Sequence, residues 1–214
     1  MRGHRTAMRP SPDSAALHPG YDEFLRRGAT TGSSMVSYRR NWIAGGTYFF
    51  TATLRDRRST LLADGADLLR ETMRDVAARW PFRTEAAVVL PDHLHTVWTL
   101  PPGDADYAGR WRAIKAAFTR RMLTAGATVE CNARGEYTLW QRRYWEHTIR
   151  DERDLRRHID YIHFNPVKHG LVRRAADWPH STFHRFVARG DLSAEWGCVD
   201  DEDAFAMQEF GEPA

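Results

Sequence analysis

Length, composition and charge limit what this chain can be. It has 214 residues, of which 42% are hydrophobic and 12% aromatic, enough for one compact domain with its own core. No apolar run approaches the ~20 residues of a membrane-spanning helix, no secretory signal is visible, and two cysteines, Cys131 and Cys198, are too few for a disulfide framework. A soluble, cytoplasmic protein is therefore expected.

The formal net charge of +3 conceals an uneven distribution. Eight of the 28 acidic residues follow position 190, where there is no Lys or Arg, so residues 1–190 carry a formal charge of +11. A basic body with an acidic tail favours a polyanionic partner, most commonly nucleic acid. Charge alone leaves a merely basic, soluble surface equally open.

The predicted elements follow the order β-α-β-β-α-β with one further helix. Residues 1–34 lack periodicity and predict a disordered arm, residues 35–197 one folded domain, and residues 198–214 an acidic tail. Strands are predicted at 45–54, 82–90, 93–100 and 144–149, and helices at 59–80, 107–123 and 151–165, the last ended by Pro166. This order predicts an α+β fold, a ferredoxin-like βαββαβ antiparallel sheet with two helices on one face. The additional C-terminal helix is expected near the other face or an edge.

The segment PDHLHTVWTL (residues 91–100) places two histidines in a predicted strand. Because side chains alternate along a strand, His93 and His95 share one face, roughly 6.5 Å apart, and Leu94, Thr96 and Trp98 occupy the other. Two imidazoles so placed can share one metal ion. Histidines with this spacing are more often structural, so the pair alone leaves both interpretations open.

The third helix carries an apolar stripe and a separate polar stripe. The apolar stripe is Leu155, Ile159 and Ile162, and the polar stripe is Asp154, His158, Tyr161 and Asn165. At ~100° per residue, Tyr161 lies about 120° from the apolar stripe, which is predicted to face the core. The ordinary interpretation is a partly buried tyrosine with a satisfied hydroxyl.

With the histidine pair, the polar stripe fits metal-assisted nucleophilic catalysis. An amide oxygen can bind hard cations, so a divalent ion held by His93, His95 and Asn165 would bind a DNA phosphate oxygen. The Tyr161 hydroxyl would then attack phosphorus, leaving a covalent phosphotyrosine and a free 3′-hydroxyl. Tyr144 is the rival nucleophile, but it lies on a predicted strand without an amide one turn away.

Several segments, in the same order along the chain, carry a family resemblance. VVLPDHLHTVWTLP, LWQRRYWEHTIRD and HIDYIHFNPVKHGLV resemble the REP-associated tyrosine transposases, and YRRNWIAGGTYFFT and DWPHSTFHRFVARG are similar to that family's opening strand and closing segment. These proteins are relatives of single-tyrosine insertion-sequence transposases in the His-hydrophobic-His endonuclease group. The resemblance covers about residues 36–197.

The resemblance implies a ferredoxin-like fold and cleavage of single-stranded DNA at hairpin-forming repeated extragenic palindromes, with Mg²⁺ or Mn²⁺. Carried over by position, it makes His93 and His95 the metal histidines, Tyr161 the nucleophile and Asn165 a further metal ligand. Association with the nucleoid is expected, and the sequence leaves a monomer and a homodimer both open. The arm, the loop at residues 125–137 and the acidic tail depart from the family pattern, which affects substrate reach and regulation.

Further residues are predicted to surround this site. The predicted DNA contacts are basic: Arg39, Arg40, Arg110, Arg112, Lys115, Arg142, Arg143, Arg150, Arg157 and Lys168. Singly, each charge on a helix is more often just solvated. His158, on the Tyr161 stripe, and Glu146 are candidates for supporting the site.

Two other functions remain open from the sequence. One is a catalytically idle, sequence-specific DNA-binding protein on the same fold, although a pure binder needs neither the histidines nor Tyr161. The other is a metal-dependent phosphohydrolase that uses water and forms no covalent adduct.

Overall fold

The computed structural model describes residues 41–198. The predicted arm, Arg39, Arg40 and all but the first residue of the predicted tail lie outside these residues, so the predictions made for them stay predictions. The strands are β1 Thr47–Thr53, β2 Arg83–Val89, β3 His93–Thr99 and β4 Trp145–Thr148. The helices are α1 Leu61–Asp64, α2 Ala66–Arg79, α3 Tyr107–Thr124, α4 Glu152–Lys168 and α5 Phe183–Arg189, with a 3₁₀ turn at Ala175–Asp177.

The four strands form one antiparallel sheet in the order β2-β3-β1-β4, which confirms the ferredoxin-like arrangement. In the register of β1 and β3, Tyr48 lies opposite Trp98 and Phe50 opposite Thr96, whereas Thr51 lies opposite His95. Phe50 and Trp98 pack with Trp111 of α3 in the main core. The alternation of strand side chains puts His93 and His95 on one face, as predicted, and directs them away from α2 and α3.

The fourth helix covers the histidine face of the sheet. It packs against β2 and β3, and the ring of Tyr161 contacts those of Phe49 and His95. Since both faces of the sheet are covered, β1 and β3 are buried along nearly their whole length. The expectation that the additional helix lies near the other face is confirmed.

The helix predicted at 59–80 is two helices separated by Gly65. A Cβ built on Gly65 would lie 2.6 Å from Sδ of Met122 and 3.1 Å from the ring of Phe118, so a side chain there would force these α3 side chains to shift. The sequence predicted one helix because the apolar residues on either side of Gly65 keep helical spacing. The break thus reflects close packing between α1, α2 and α3.

The prediction that Pro166 ends the third helix is wrong. Helical backbone continues through Pro166 to Lys168, and Gly170, with φ of 66°, ends it. The amide of Leu171 donates to Pro166 O at 2.9 Å and that of Gly170 to Val167 O at 2.9 Å, which is the Schellman pattern. Pro166 removes one N–H bond and crowds the carbonyl of Ile162, but it does not end the helix, and the glycine turn satisfies the last carbonyls.

The prediction that the apolar stripe of this helix faces the core is confirmed only at Ile162, which is fully buried. Asp154, His158, Tyr161 and Asn165 are all buried, whereas Leu155 and Ile159 are only half-buried. The sheet presents imidazoles, hydroxyls and aromatic rings to α4, which makes the polar stripe the complementary one. Polar burial of this kind costs stability unless partners are found, so it marks a specialised surface.

The segment after α4 covers the outer edge of β2. The amide of Thr182 donates to Ala87 O at 2.8 Å, and that of Val89 to His180 O at 2.8 Å. A small apolar cluster around Phe164 and Phe183 joins this segment to α4. Among residues 41–198, no helix is long and apolar enough to cross a membrane.

Candidate active site

The first histidine of β3 is held by a buried carboxylate. His93 Nδ1 lies 2.7 Å from Asp92 Oδ1, and Arg57 Nε lies 2.7 Å from the other carboxylate oxygen. Burial raises the pKa of Asp92, but the hydrogen bond from His93 and the charge of Arg57 bring it below its ordinary value. An ionised Asp92 accepts the proton on Nδ1 of His93, which leaves Nε2 as the atom able to bind a metal.

The second histidine is held in the same way by a hydroxyl. His95 Nδ1 lies 2.9 Å from Thr51 Oγ1, and the rings of His93 and His95 are 4.9 Å apart between centroids. Burial is the main cause of a pKa of His95 well below its ordinary value, and the charge of His93 acts in the same direction. His95 is therefore neutral at physiological pH, the state in which imidazole binds metals.

The fourth helix brings Tyr161 and Asn165 to this pair. The Tyr161 ring lies 5.4 Å from that of His95, and its side chain is only 2% exposed. Asn165 is fully buried, and neither atom of its amide makes a hydrogen bond of good geometry among residues 41–198. A contact with Asn165 opposes the lowering of the pKa of His95, which places the amide beside the imidazole. A buried amide beside two imidazoles, of which burial holds His95 neutral, fits a site for a divalent cation.

A lysine contacts the tyrosine oxygen directly. Lys168 Nζ donates to Tyr161 Oη at 3.3 Å and lies 4.6 Å from the centroid of the Tyr161 ring. The sequence predicted Lys168 as a DNA contact and did not predict this pairing. Its only signal was the spacing of seven residues, which places two side chains on one face if the helix continues past Pro166.

A second histidine cluster fixes the start of α4 to β4. His147, Asp154 and His158 each offer a ligand atom within 4.8 Å of the others. Asp154 Oδ2, however, already accepts from His147 Nε2 at 2.9 Å and from the amide and Nε of Arg150 at 3.1 Å each. The rings of His147 and His158 are stacked at 18°, so their in-plane lone pairs do not converge on one ion. This cluster therefore positions the helix that carries Tyr161.

Two of the predicted DNA contacts, Arg110 and Lys115, are wrong because their side chains bind other groups of the protein. Arg110 is buried, and its guanidinium donates to both carboxylate oxygens of Asp104, at 3.0 and 2.7 Å. Lys115 is half-buried beside Tyr144 and donates to Gln141 O at 2.9 Å, and burial lowers its pKa to about 8. Neither side chain is available to a DNA backbone. The other predicted contacts among the described residues are exposed, apart from half-buried Lys168: Arg112, Arg142, Arg143, Arg150 and Arg157.

Glu146 and the rival nucleophile Tyr144 do not lie at the histidine pair. Glu146 lies opposite Phe50 in the β1–β4 register, and the Tyr107 hydroxyl is 3.5 Å from its carboxylate. The Tyr144 ring contacts Phe50 and Trp111. Both residues therefore face α3, on the side of the sheet opposite His95, because β4 alternates like β1. His158 does lie on the site's side of the sheet, against Phe49.

Sequence reasoning missed Asp92 and Thr51 as partners of the histidines. Asp92 was assigned only to the turn between two strands, although an acidic residue directly before a His-x-His pair could have indicated its role. Thr51 carried no signal, because it reaches His95 only through the β1–β3 register.

Comparisons with known proteins identify the family of this chain. The family model of IS200-like transposases matches residues 44–165, which contain His93, His95, Tyr161 and Asn165. The chain is 49% identical over 171 residues to a REP-associated tyrosine transposase of Escherichia coli (strain K12), covering 79% of this chain and 96% of the relative. A solved REP-associated tyrosine transposase bound to a REP hairpin superimposes with a TM-score of 0.67 at 48% identity, covering 78% of this chain and 94% of the other.

These matches establish the class of enzyme. Tyrosine transposases cleave DNA, and the buried histidines of this site together with the family indicate a divalent metal ion. The chain belongs to the IS200-like transposases and, among them, to the REP-associated tyrosine transposases.

Proposed function

We propose that this protein cleaves and rejoins single-stranded DNA at hairpin-forming repeated extragenic palindromes, with Tyr161 as nucleophile. The observation that carries the proposal is that His95, Tyr161 and Asn165 lie together on one face of the sheet. The Tyr161 ring lies 5.4 Å from that of His95, and the buried amide of Asn165 is one helical turn further along.

His93, His95 and Asn165 are the proposed ligands of a divalent ion, Mg²⁺ or Mn²⁺. Such an ion would supply Lewis-acid polarisation of a phosphate oxygen. Asp92 and Thr51 fix the orientation of the two imidazoles, so that the donor set is formed before DNA binds. Burial keeps His95 neutral and excludes water from the ligands.

Tyr161 forms the covalent bond in this mechanism. Its oxygen bonds to phosphorus while the bond from phosphorus to the 3′-oxygen breaks, which leaves a 5′-phosphotyrosine and a 3′-hydroxyl. One proton leaves the phenol and one is taken up by the 3′-oxygen, so the step is balanced. The bond energy is retained in the adduct, which allows the strand to be rejoined elsewhere.

The proposed substrate follows from the relatives and from the surface. The solved relative holds a REP hairpin, and the exposed arginines of this chain flank β4 and the first half of α4. An array of arginines along one edge suits a phosphate backbone and makes affinity depend on salt. A nucleoid location would follow from DNA binding of this kind.

The test is a denaturing gel that detects a covalent protein–DNA complex. Purified protein is mixed with a labelled single-stranded oligonucleotide carrying a host palindrome, with Mn²⁺ or with EDTA. A shifted band is expected with Mn²⁺ for the wild type and for Tyr137→Phe, an exposed control, and not for Tyr161→Phe.

Each other outcome supports a rival function. Cleavage that survives Tyr161→Phe without an adduct would indicate a phosphohydrolase that uses water. Tight binding of hairpins with no cleavage by the wild type would indicate a catalytically idle DNA-binding protein.

A further inference from the structure

We infer that Lys168 is a catalytic residue whose ammonium binds the Tyr161 oxygen and stabilises the negative charge on it while DNA is cut and rejoined. The inference rests on the proposed function, since it assigns a partner to the nucleophile named there. It replaces the general role in phosphate contact that the sequence predicted for Lys168.

The path of α4 brings Lys168 onto the face that carries the nucleophile. Lys168 follows Tyr161 by seven positions, which is two helical turns to within about 20°. A helix ending before Pro166 would have lost this alignment, but helical backbone continues to Lys168 and stops at the Gly170 turn. The four-carbon stem of lysine can then reach back toward the N-terminus, the direction in which helical side chains point.

The contact joins a charged donor to a buried oxygen. Lys168 Nζ is 3.3 Å from Tyr161 Oη, and the tyrosine is 2% exposed while the lysine is half-buried. Hydrogen bonds from an ionised donor are roughly twice as strong as neutral ones, and a low local dielectric strengthens them further. The attraction grows as the oxygen becomes anionic, so it favours the transition state over the ground state.

The scarcity of lysine provides a comparison within the same chain. Of 31 basic residues only Lys115 and Lys168 are lysines, and each ammonium lies near a tyrosine ring. Lys115 donates to a main-chain carbonyl, on the other face of the sheet, whereas Lys168 donates to the phenol itself. A compact ammonium suits one oxygen, while a planar guanidinium suits two.

The same ammonium serves both directions of the reaction. In cleavage, Tyr161 gains its bond to phosphorus as the 3′-oxygen leaves, and in rejoining Tyr161 is the leaving group as a 3′-oxygen attacks. Lys168 keeps its proton in both steps and moves none. Its charge also contributes to lowering the pKa of His95, which places it within electrostatic range of the proposed metal ligands.

The experiment separates chemistry from DNA binding. Single-turnover formation of the covalent adduct is measured with Mn²⁺ at saturating hairpin oligonucleotide, and the dissociation constant for the same DNA is measured in EDTA. The variants are Lys168→Met, Lys168→Arg and the matched control Lys115→Met. In a background with Cys131→Ser and Cys198→Ser, Lys168→Cys is also treated with 2-bromoethylamine, which rebuilds a lysine-like side chain.

We expect Lys168→Met to slow adduct formation on the order of 10²-fold, as loss of one donor to a developing anion does elsewhere. Its dissociation constant should change far less, Lys168→Arg should restore part of the rate, and aminoethylation of Lys168→Cys most of it. Lys115→Met should react at the wild-type rate.

Three results would overturn the inference: a wild-type rate for Lys168→Met, a defect of that variant that lies wholly in DNA affinity, and no recovery of the rate on aminoethylation in protein that still binds the hairpin. Absence of an adduct with the wild type is a different failure, because it would remove the proposed function and this inference with it.

Discussion

The two faces of the sheet use the same alternation of side chains for opposite purposes. On the face covered by α2 and α3, aromatic rings interlock, and the buried charge of Arg110 is paired with Asp104. On the face covered by α4, the strands present His93 and His95 to a helix whose buried stripe is polar. Because successive side chains of a strand point to opposite faces, one strand can contribute core residues to one face and site residues to the other. Substitutions on the two faces should consequently have separable effects.

The largest effect is expected from removing a histidine on the α4 face. His95→Ala should reduce adduct formation by on the order of 10³-fold, because polarisation by a bound metal contributes several kcal/mol. The melting temperature of this variant should stay close to that of the wild type, so the loss of rate does not reflect unfolding. Gel assays with Mn²⁺, with melting temperatures as the control, test this, and an adduct at near wild-type rate would contradict the proposed ligand set.

A substitution on the other face should destabilise the fold. Trp98→Ala removes a ring stacked on Trp111 at 4.5 Å and should lower the free energy of unfolding by about 3–5 kcal/mol. Urea denaturation measures the loss. A smaller loss than for Phe49→Ala, on the α4 face, would show that the main core does not lie where the packing places it.

Between these extremes, Asp92→Asn should act on the metal alone. The substitution replaces the carboxylate that orients His93 with a neutral amide. Loss of a partner of this kind typically lowers metal affinity by about 10–100-fold. Titration with Mn²⁺ measures the affinity, and Asp56→Asn is an exposed control on a nearby loop. Equal affinities for both variants would mean that Asp92 serves only the turn.

The smallest effect concerns the dependence of stability on pH through Lys115, the half-buried lysine of the α3 face. Lys115 has a pKa of about 8 in the folded protein, below its ordinary value of 10.5, because burial disfavours the charged form. Between these two pH values the unfolded chain binds more protons, so stability should rise with pH across that window and level off above it. The rise should be on the order of 1–3 kcal/mol, given 1.36 kcal/mol per pKa unit.

Comparing the wild type with Lys115→Met isolates this rise from other titrations. Denaturation of both proteins at several values between pH 8 and pH 10.5 should give a steeper slope for the wild type. Parallel slopes would show that water reaches the ammonium.

The sequence was sufficient for the elements whose signals are local. Strand alternation put His93 and His95 on one face, and the four strands and their order followed from apolar runs and turns. The end of α4 was misjudged because a proline does not always stop a helix, and here the helix runs through Pro166 to the turn at Gly170. The buried stripe was misjudged because apolar spacing does not reveal that the opposing surface is polar.

What could not be predicted depends on contacts distant in sequence. Thr51 reaches His95 only through strand pairing, and Arg110 and Lys115 lost their predicted roles because of partners supplied by the fold. Nothing in a linear pattern distinguishes a solvated arginine on a helix from one that closes an internal ion pair.

The central claim is that covalent chemistry occurs on the α4 face through Tyr161. The most direct measurement is mass spectrometry of the protein–DNA adduct after nuclease and protease digestion, to locate the residue that carries the nucleotide. The nucleotide should be attached to Tyr161. Attachment to Tyr144, on the opposite face, would contradict the account.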